Sequence, residues 1–166
     1  ETSKLCPVKF LIEPVHAALN LLDAEYEFDS YSMLGLSGGG WTTTLCAAMD
    51  DRISQSYSVA GSLPIELRNA DSLGDYEQRH PVLYSIANYL DLYLLGAFGT
   101  NRKCVHVYNL NDSCCFWGRE YERYDSIITK MSKDLGGYYK VYLDENNVGH
   151  SISPWSLDRI EREMRG

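Results

Sequence analysis

Basic residues are scarce in this chain of 166 residues. Lys and Arg total 15 against 23 Asp and Glu, so the formal net charge at pH 7 is -8. Like charges repel at long range, and this balance argues against nucleic acid or an anionic membrane surface as a partner. It favours a neutral or cationic small molecule as the substrate.

Long hydrophobic runs are lacking as well. No segment approaches the roughly 18 consecutive apolar residues that indicate a membrane-spanning helix. The first residues, Glu1 to Leu5, show neither the basic nor the apolar region of a secretory signal. We therefore expect no membrane association, and the cytoplasm is the favoured location.

Cysteine is present in an odd number, five, and without the spacing of metal ligands. This argues against a full disulfide framework and against a zinc site, and we expect neither metal nor cofactor. Buried free thiols are the default expectation. The alternative is a bridge among Cys6, Cys104, Cys114 and Cys115, in which the adjacent pair 114–115 is the unusual feature.

The hydrophobic pattern predicts four strands separated by helices within a single domain, 1–166. The predicted strands are Tyr31–Leu36, Ile53–Val59, 104–110 and 138–143. The predicted helices start at Pro14, 39, Pro81, 119 and, behind the cap Ser153, Pro154. The third of them reaches about Leu95, unless 92–95 is instead a short strand. Residues 60–80 show no clear period and are predicted as a loop or small lid insertion. Such alternation predicts an α/β fold, a mostly parallel sheet with flanking helices.

The most informative motif lies in the first quarter of the chain. An apolar run ends in Gly35-Leu36-Ser37-Gly38-Gly39, the pattern G-x-S-x-G, and helix formers follow. This strand, turn and helix context is typical of a nucleophile elbow, a tight turn that presents its serine above the sheet. The flanking glycines leave room for the turn. The amide of Gly38, at the start of the helix, is placed to face a developing negative oxygen.

Two further residues fall where a serine nucleophile needs partners. In an open parallel sheet, functional groups gather outside the carboxyl ends of the strands. Ser37 follows the first predicted strand, Asp112 follows the third and His150 follows the fourth. A nucleophile, an orienting carboxylate and a general base are thus expected at one edge. Asp144 is the rival acid, but it shares a short predicted loop with the histidine.

The remaining candidates have structural interpretations. His16 lies on a predicted helix face, His106 lies inside a predicted strand, and His80 precedes a predicted helix start. The residues 114–117, next to Asp112, either line the substrate cleft or pack the turn. The sequence does not decide between these two alternatives.

With these motifs in this order, the sequence resembles the α/β-hydrolases from their elbow strand onward. The resemblance rests on the elbow, on Asn111-Asp112 and on the loop Val148-Gly149-His150-Ser151. The short elbow is most similar to that of carboxylesterases, although related peptidases and acyltransferases use the same turn.

The resemblance implies roles for individual residues. Ser37 would be the nucleophile, His150 the general base and then acid, and Asp112 would hold the imidazole tautomer. Gly38 would supply one oxyanion amide. Gly39 and Trp41 are candidates for the second donor by proximity alone.

One departure from the family is large. Its sheet has several strands before the elbow strand, whereas only 30 residues precede Tyr31 here. We therefore expect a reduced or truncated α/β-hydrolase fold, in which the strand Tyr31–Leu36 has an unpaired edge. That edge is expected to join a second copy of the chain or a further part of a longer one.

Two classes of function follow from these features. The first is an esterase that cleaves small ester substrates through an acyl-enzyme, with a peptidase or acyltransferase as a variant on the same triad. The second is a catalytically weak or inactive binding module, which the missing strands and the incomplete oxyanion hole suggest.

Overall fold

A computed structural model describes residues 6–68 and 73–166. Its sheet consists of β1 (Tyr31–Leu36), β2 (Ile53–Val59), β3 (Lys103–Asn109) and β4 (Tyr138–Asp144). The strands lie in the order β1-β2-β3-β4, and every neighbouring pair is parallel. The predicted α/β fold with a parallel sheet is therefore confirmed.

The helices within the described residues are α1 (Pro7–Glu25), α2 (Gly38–Met49), α3 (Pro81–Tyr84), α4 (Tyr89–Gly96), α5 (Asp125–Asp134) and α6 (Pro154–Arg165). Short 3-10 turns occupy Ile65–Leu67, Tyr76–Arg79 and Glu120–Arg123. Helix α2 packs on β1, β2 and α4, and α5 packs on β4. None of these helices has both the length and the apolar character needed to cross a membrane.

Helices cover both faces of the sheet. Neighbouring residues of a strand point to opposite faces, as two residues of β4 show. Tyr139 stacks on Tyr93 of α4, with ring centroids 5.9 Å apart. The hydroxyl of the preceding residue, Tyr138, donates instead to Glu163 of α6 at 3.0 Å. Helices α4 and α6 therefore lie on opposite faces.

A cluster of aromatic side chains fills the core between the sheet and α4. Tyr93 is fully buried, and its ring lies 4.3 Å from that of His106 and 5.8 Å from that of Tyr124, measured between centroids. Burial lowers the pKa of His106 to about 3. This histidine is therefore a neutral core residue, in agreement with its structural interpretation.

Helix α1 starts earlier than the sequence predicts. It begins at Pro7, not at Pro14, and the buried residues Val8 and Ile12 belong to the added turns. Pro7 occupies the first turn, where a missing N–H costs nothing. Pro14 lies inside the helix and removes one backbone hydrogen bond. Burial of the apolar residues on both sides of Pro14 offsets that loss.

The helix predicted from Pro81 is divided in two. Asn88 caps α4, because its side chain accepts from the amides of Leu90 and Asp91 at 2.8 and 3.1 Å. The carboxylate of Asp91 accepts in return from the amide of Asn88 at 2.9 Å, which completes a capping box. Residues 92–95 are helical, so the alternative of a short strand is wrong.

Smaller corrections concern the second half of the chain. The helix predicted at 119–135 begins as a 3-10 turn, and α5 itself starts at Asp125. Strand β3 is shifted by one residue, and β4 reaches Asp144, which the sequence analysis assigned to a loop. Of the predicted insertion at 60–80, residues 69–72 lie outside the described part. The lid therefore stays a prediction.

The cysteines also differ from the default expectation. Cys114 and Cys115 form a disulfide, and Cys114 is exposed at the surface. Cys6, Cys46 and Cys104 are free, and the last two of these are buried. Burial raises the pKa of the Cys46 thiol to about 11.

The outer edge of β1 is open. Among the described residues β1 pairs only with β2, and no strand lies on its other side. Exposed apolar side chains flank this edge, namely Tyr26, Phe28 and Leu34. The free amides and carbonyls of such an edge are ready for another strand. We propose that a second copy of the chain, or a further part of a longer chain, supplies it.

Size-exclusion chromatography with light scattering tests this proposal. The 166-residue chain, of 18.8 kDa, should elute as a dimer if a second copy completes the sheet. If a longer chain completes it, the isolated segment should be poorly stable or aggregate. A stable and fully active monomer with nothing paired to β1 would contradict both alternatives.

Candidate active site

Ser37 lies in a strained turn between β1 and α2. Its backbone has φ 56° and ψ -122°, in the positive-φ region that residues with a Cβ rarely adopt. Two backbone hydrogen bonds hold it there, from the Ser37 amide to the carbonyl of Val59 at 3.0 Å and from the Trp41 amide to the Ser37 carbonyl at 2.9 Å. The side chain does not cap α2, so the hydroxyl is not engaged by the helix. This is the geometry of a nucleophile elbow.

Glycines allow the backbone around Ser37 to pack without side chains. A Cβ on Gly35 would overlap the carbonyl oxygen of Gly39. A Cβ on Gly61 would lie 2.5 Å from the carbonyl oxygen of Ser37, and one on Gly40 would lie 2.9 Å from the Ser58 hydroxyl oxygen. Gly61 follows β2 and was not identified from the sequence as part of the site.

The first amides of α2 are available to an anion. Within the described residues, neither Gly38 nor Gly39 donates its amide to a protein acceptor, as is usual for the first turn of a helix. The positive end of the helix dipole adds to this preference. Trp41 is placed differently, since it is fully buried and its ring lies 4.9 Å from that of Tyr89.

Asp112 and His150 come together at the carboxyl edge of the sheet. The Nδ1 atom of His150 lies 3.0 Å from each carboxylate oxygen of Asp112. The Asp112 side chain is fully buried, whereas 21% of the His150 side chain is exposed. The amide of Cys114 donates to Asp112 Oδ1 at 2.7 Å. The carboxylate is thus fixed on one side and directed at the imidazole on the other.

Asn109 joins the loops that carry these two residues. It ends β3 and is fully buried. Its Nδ2 atom lies 3.2 Å from Asp112 Oδ2 and 3.2 Å from the carbonyl oxygens of Gly149 and Ser151, the two neighbours of His150. The sequence analysis treated Asn109 only as a strand residue. Its position, at the end of a strand and three residues before the acid, was the signal available.

The third side chain of the predicted triad forms no hydrogen bond with the other two. Ser37 lies at the same edge of the sheet. The Nε2 atom of His150 is buried and has no hydrogen bond to any described residue. Bonds between a nucleophile and its base are often long without a bound substrate. The structure therefore shows the acid–histidine pair, and the serine–histidine contact stays a prediction.

Asp144, the rival acid, forms hydrogen bonds with the segment on either side of His150. Its carboxylate accepts from the Ser153 hydroxyl and, at 3.1 and 3.0 Å, from the amides of Asn146 and Asn147. Burial acts to raise the pKa of Asp144, but these hydrogen bonds outweigh it, so the pKa lies below its usual value. Asp144 thereby holds both ends of the segment that contains His150.

The other residues singled out from the sequence take structural positions. His16 is a residue of α1, and its Nε2 atom lies 3.7 Å from Asp50 Oδ2. His80 precedes α3. Phe116 is buried and packs the turn, whereas Cys115 and Trp117 line a cavity. That this cavity is the substrate cleft stays a prediction. Within residues 6–68 and 73–166, no cluster of His, Cys, Asp or Glu side chains is suited to hold a metal ion.

Comparison with known proteins supports the fold. No protein-family model and no curated protein sequence matches the chain. Solved structures do match. SOBER1 of Arabidopsis thaliana superposes with a TM-score of 0.57 over 95% of this chain, at 15% identity. An acylaminoacyl peptidase of Pyrococcus horikoshii superposes with a TM-score of 0.58 over 89% of this chain, at 15% identity. A putative dienelactone hydrolase of Klebsiella pneumoniae superposes with a TM-score of 0.58 over 98% of this chain, at 13% identity.

These neighbours have the α/β-hydrolase fold, and the chain shares it. The aligned region makes up 63% of the SOBER1 chain, 61% of the dienelactone hydrolase chain and 25% of the peptidase chain. The chain therefore spans less than two thirds of each of them. A truncated α/β-hydrolase fold, as predicted from the elbow and the order of the motifs, is confirmed.

The glycines of the elbow give a test by substitution. Gly35→Ala should destabilise the protein by about 1–3 kcal/mol or more, because the new Cβ overlaps backbone that cannot move aside. Gly38→Ala is the matched control. No atom lies within 4 Å of its Cβ position, and its effect should stay within about 1 kcal/mol. Urea unfolding monitored by circular dichroism measures both. Equal effects would contradict the packing described here.

Asp144→Asn tests the assignment of this carboxylate to the loop. The variant should lose about 1–3 kcal/mol of unfolding free energy at pH 7, because the Nδ2 group that replaces Oδ2 cannot accept from the Ser153 and Ser156 hydroxyls. A depressed pKa stabilises the fold above the unfolded value, about 3.9, and the benefit disappears as pH falls through the folded value. The difference from wild type should therefore shrink between pH 5 and pH 2, as urea unfolding can measure.

Asp29→Asn, at an exposed position, is the control and should leave the unfolding free energy unchanged at each pH. If Asp144→Asn instead kept full stability and lost esterase activity, Asp144 would be the catalytic acid.

Proposed function

We propose that this protein is a serine hydrolase that cleaves carboxylic esters through an acyl-enzyme. The observation that carries the proposal is the buried Asp112 carboxylate, 3.0 Å from His150 Nδ1, at the same sheet edge as a serine in a strained elbow. A carboxylate, a histidine and a serine hydroxyl that act together as a triad perform acyl transfer on several unrelated folds. The hydrolase fold supports the same class of chemistry.

In the proposed reaction, the Ser37 hydroxyl oxygen attacks the ester carbonyl and passes its proton to His150 Nε2. Asp112 accepts the Nδ1–H bond, fixes the tautomer and stabilises the imidazolium that forms. The oxyanion faces the amides of Gly38 and Gly39 at the start of α2. His150 then returns the proton to the leaving alcohol. In the second half, His150 activates water, which releases the acid and restores Ser37.

The position of His150 suits this exchange. Its Nε2 atom has no hydrogen bond to any described residue, while its Nδ1 atom faces a fully buried carboxylate. Asn109 and the Cys114 amide share the Asp112 oxygens with the imidazole. Because these donors satisfy the carboxylate without neutralising it, it stays directed at Nδ1.

A fluorophosphonate probe together with Ser37→Ala tests the function. The probe should label wild type at Ser37 and should not label the variant. Turnover of p-nitrophenyl valerate by the variant should be about 10⁶-fold lower than that of wild type. Ser126→Ala, on the exposed surface of α5, should behave as wild type.

Two results would contradict the proposal. A wild-type protein that is folded but neither labelled nor active would be a hydrolase-like binding module. A labelled Ser37→Ala variant with more than a few per cent of the activity would place the nucleophile elsewhere.

A further inference from the structure

A cavity of about 370 Å³ lies between the segments that follow β2 and β3. The segment after β2 forms one wall, with Leu63, Leu67 and Arg68. The segment after β3 forms the other, with Cys115, Trp117 and Arg119. The cavity thus lies at the carboxyl ends of the two central strands, where the ligands of parallel sheets bind.

Both walls continue directly into the candidate active site. Gly61, which packs on the Ser37 carbonyl, lies two residues before Leu63. Cys114, whose amide donates to Asp112, immediately precedes Cys115. One or two residues span about 4 to 8 Å of chain. Short stretches of chain therefore connect the two walls of the cavity to the elbow and to Asp112.

Arg68 presents a guanidinium to this cavity from a buried position. Nε donates to the carbonyl of Leu63 at 2.6 Å, and Nη1 donates to the carbonyl of Leu73 at 2.8 Å and to Gln78 Oε1 at 2.7 Å. Nη2 donates to the Tyr89 hydroxyl at 2.5 Å and has a second hydrogen to offer. The group is fixed in place before any ligand arrives.

The contacts of this guanidinium within residues 6–68 and 73–166 are neutral acceptors and two aromatic rings, Tyr89 at 5.1 Å and Phe116 at 4.7 Å from Arg68 Cζ. All its acceptors are neutral, and within the described residues Arg68 forms no ion pair. The other two cations that line the cavity are paired, Arg123 with Glu120 at 2.7 Å and Arg119 with Glu145. Glu66 also lines the cavity, but it is exposed and forms no ion pair with Arg68. Buried charges are normally paired with an opposite charge, and in the part of the chain that the structure describes Arg68 has hydrogen bonds but no anionic partner.

We propose that the cavity binds a carboxylate group of the substrate and that Arg68 is its cationic partner. This rests on the proposed function, and it makes the substrate an ester that carries a negative charge away from the bond to be cleaved. The inference differs from the one drawn from the net charge. Distant surface charges are screened within about 10 Å, whereas a buried cation next to the ligand is not.

A pair of esters with equal acyl length tests the proposal on the wild-type protein. Mono-p-nitrophenyl glutarate carries a free carboxylate, and p-nitrophenyl valerate does not. After correction for spontaneous hydrolysis, kcat/KM should favour the glutarate ester by about 10- to 100-fold, mainly through KM. Free glutarate should inhibit competitively. An equal or better rate with valerate would overturn the proposal without any variant.

Substitution separates charge recognition from structural support. Arg68→Gln should lower kcat/KM for the glutarate ester more than for the valerate ester, so that the preference falls toward 1, and Arg68→Lys should keep part of the preference. Arg162→Gln, an exposed residue of α6, should leave both rates unchanged. Circular dichroism checks that each variant is folded. If Arg68→Gln is folded and loses both rates equally, Arg68 serves structure only, and the proposal fails.

Failure of the proposed function gives a different result. If wild type cleaves neither ester and Ser37 is not labelled, the hydrolase assignment fails. Calorimetry of glutarate binding then tests the proposed carboxylate site independently of any hydrolysis. Binding to wild type that Arg68→Gln abolishes would support the anion site, and no binding to wild type would overturn it.

Discussion

The close approach of β1, α2 and the chain after β2 is the constraint on which the rest of this structure depends. Ser37 stays at positive φ only because Gly35, Gly40 and Gly61 let three backbone segments touch. Such a conformation costs about 1–3 kcal/mol. The hydrogen bonds of Ser37 to Val59 and from Trp41, together with the packing of Trp41 in the core, offset that cost. The core of the protein therefore stabilises the turn that presents the serine.

A second constraint lies at the end of β3. Asn109 has two amide hydrogens and three acceptors at 3.2 Å, so these bonds are shared among Asp112 and the carbonyls on either side of His150. Asp144 acts on the same segment from the end of β4. Two buried polar side chains at the ends of neighbouring strands thus set the position of the histidine, and the sheet sets the position of both.

The sequence predicts the strands, the elbow and the Asp112–His150 pair for a simple physical reason. Each depends on local pattern and on the rule that parallel strands end at one edge. The features that it missed depend on contacts between distant parts of the chain. Gly61 matters because it meets Ser37, Asn109 because it meets the loop of His150, and Arg68 because Gln78 and Tyr89 surround it. The early start of α1 likewise follows from burial and not from the position of Pro14.

The order of the strands has a consequence for how the protein is made. Each strand neighbours its predecessor in the sequence, so the pairings in the sheet have low contact order for a parallel structure. As the chain leaves the ribosome, β2 can dock on β1, then β3 on β2 and β4 on β3, without waiting for distant segments. The elbow can thus form before Asp112 and His150 have been synthesised, and the loops that carry them close onto a turn already in place.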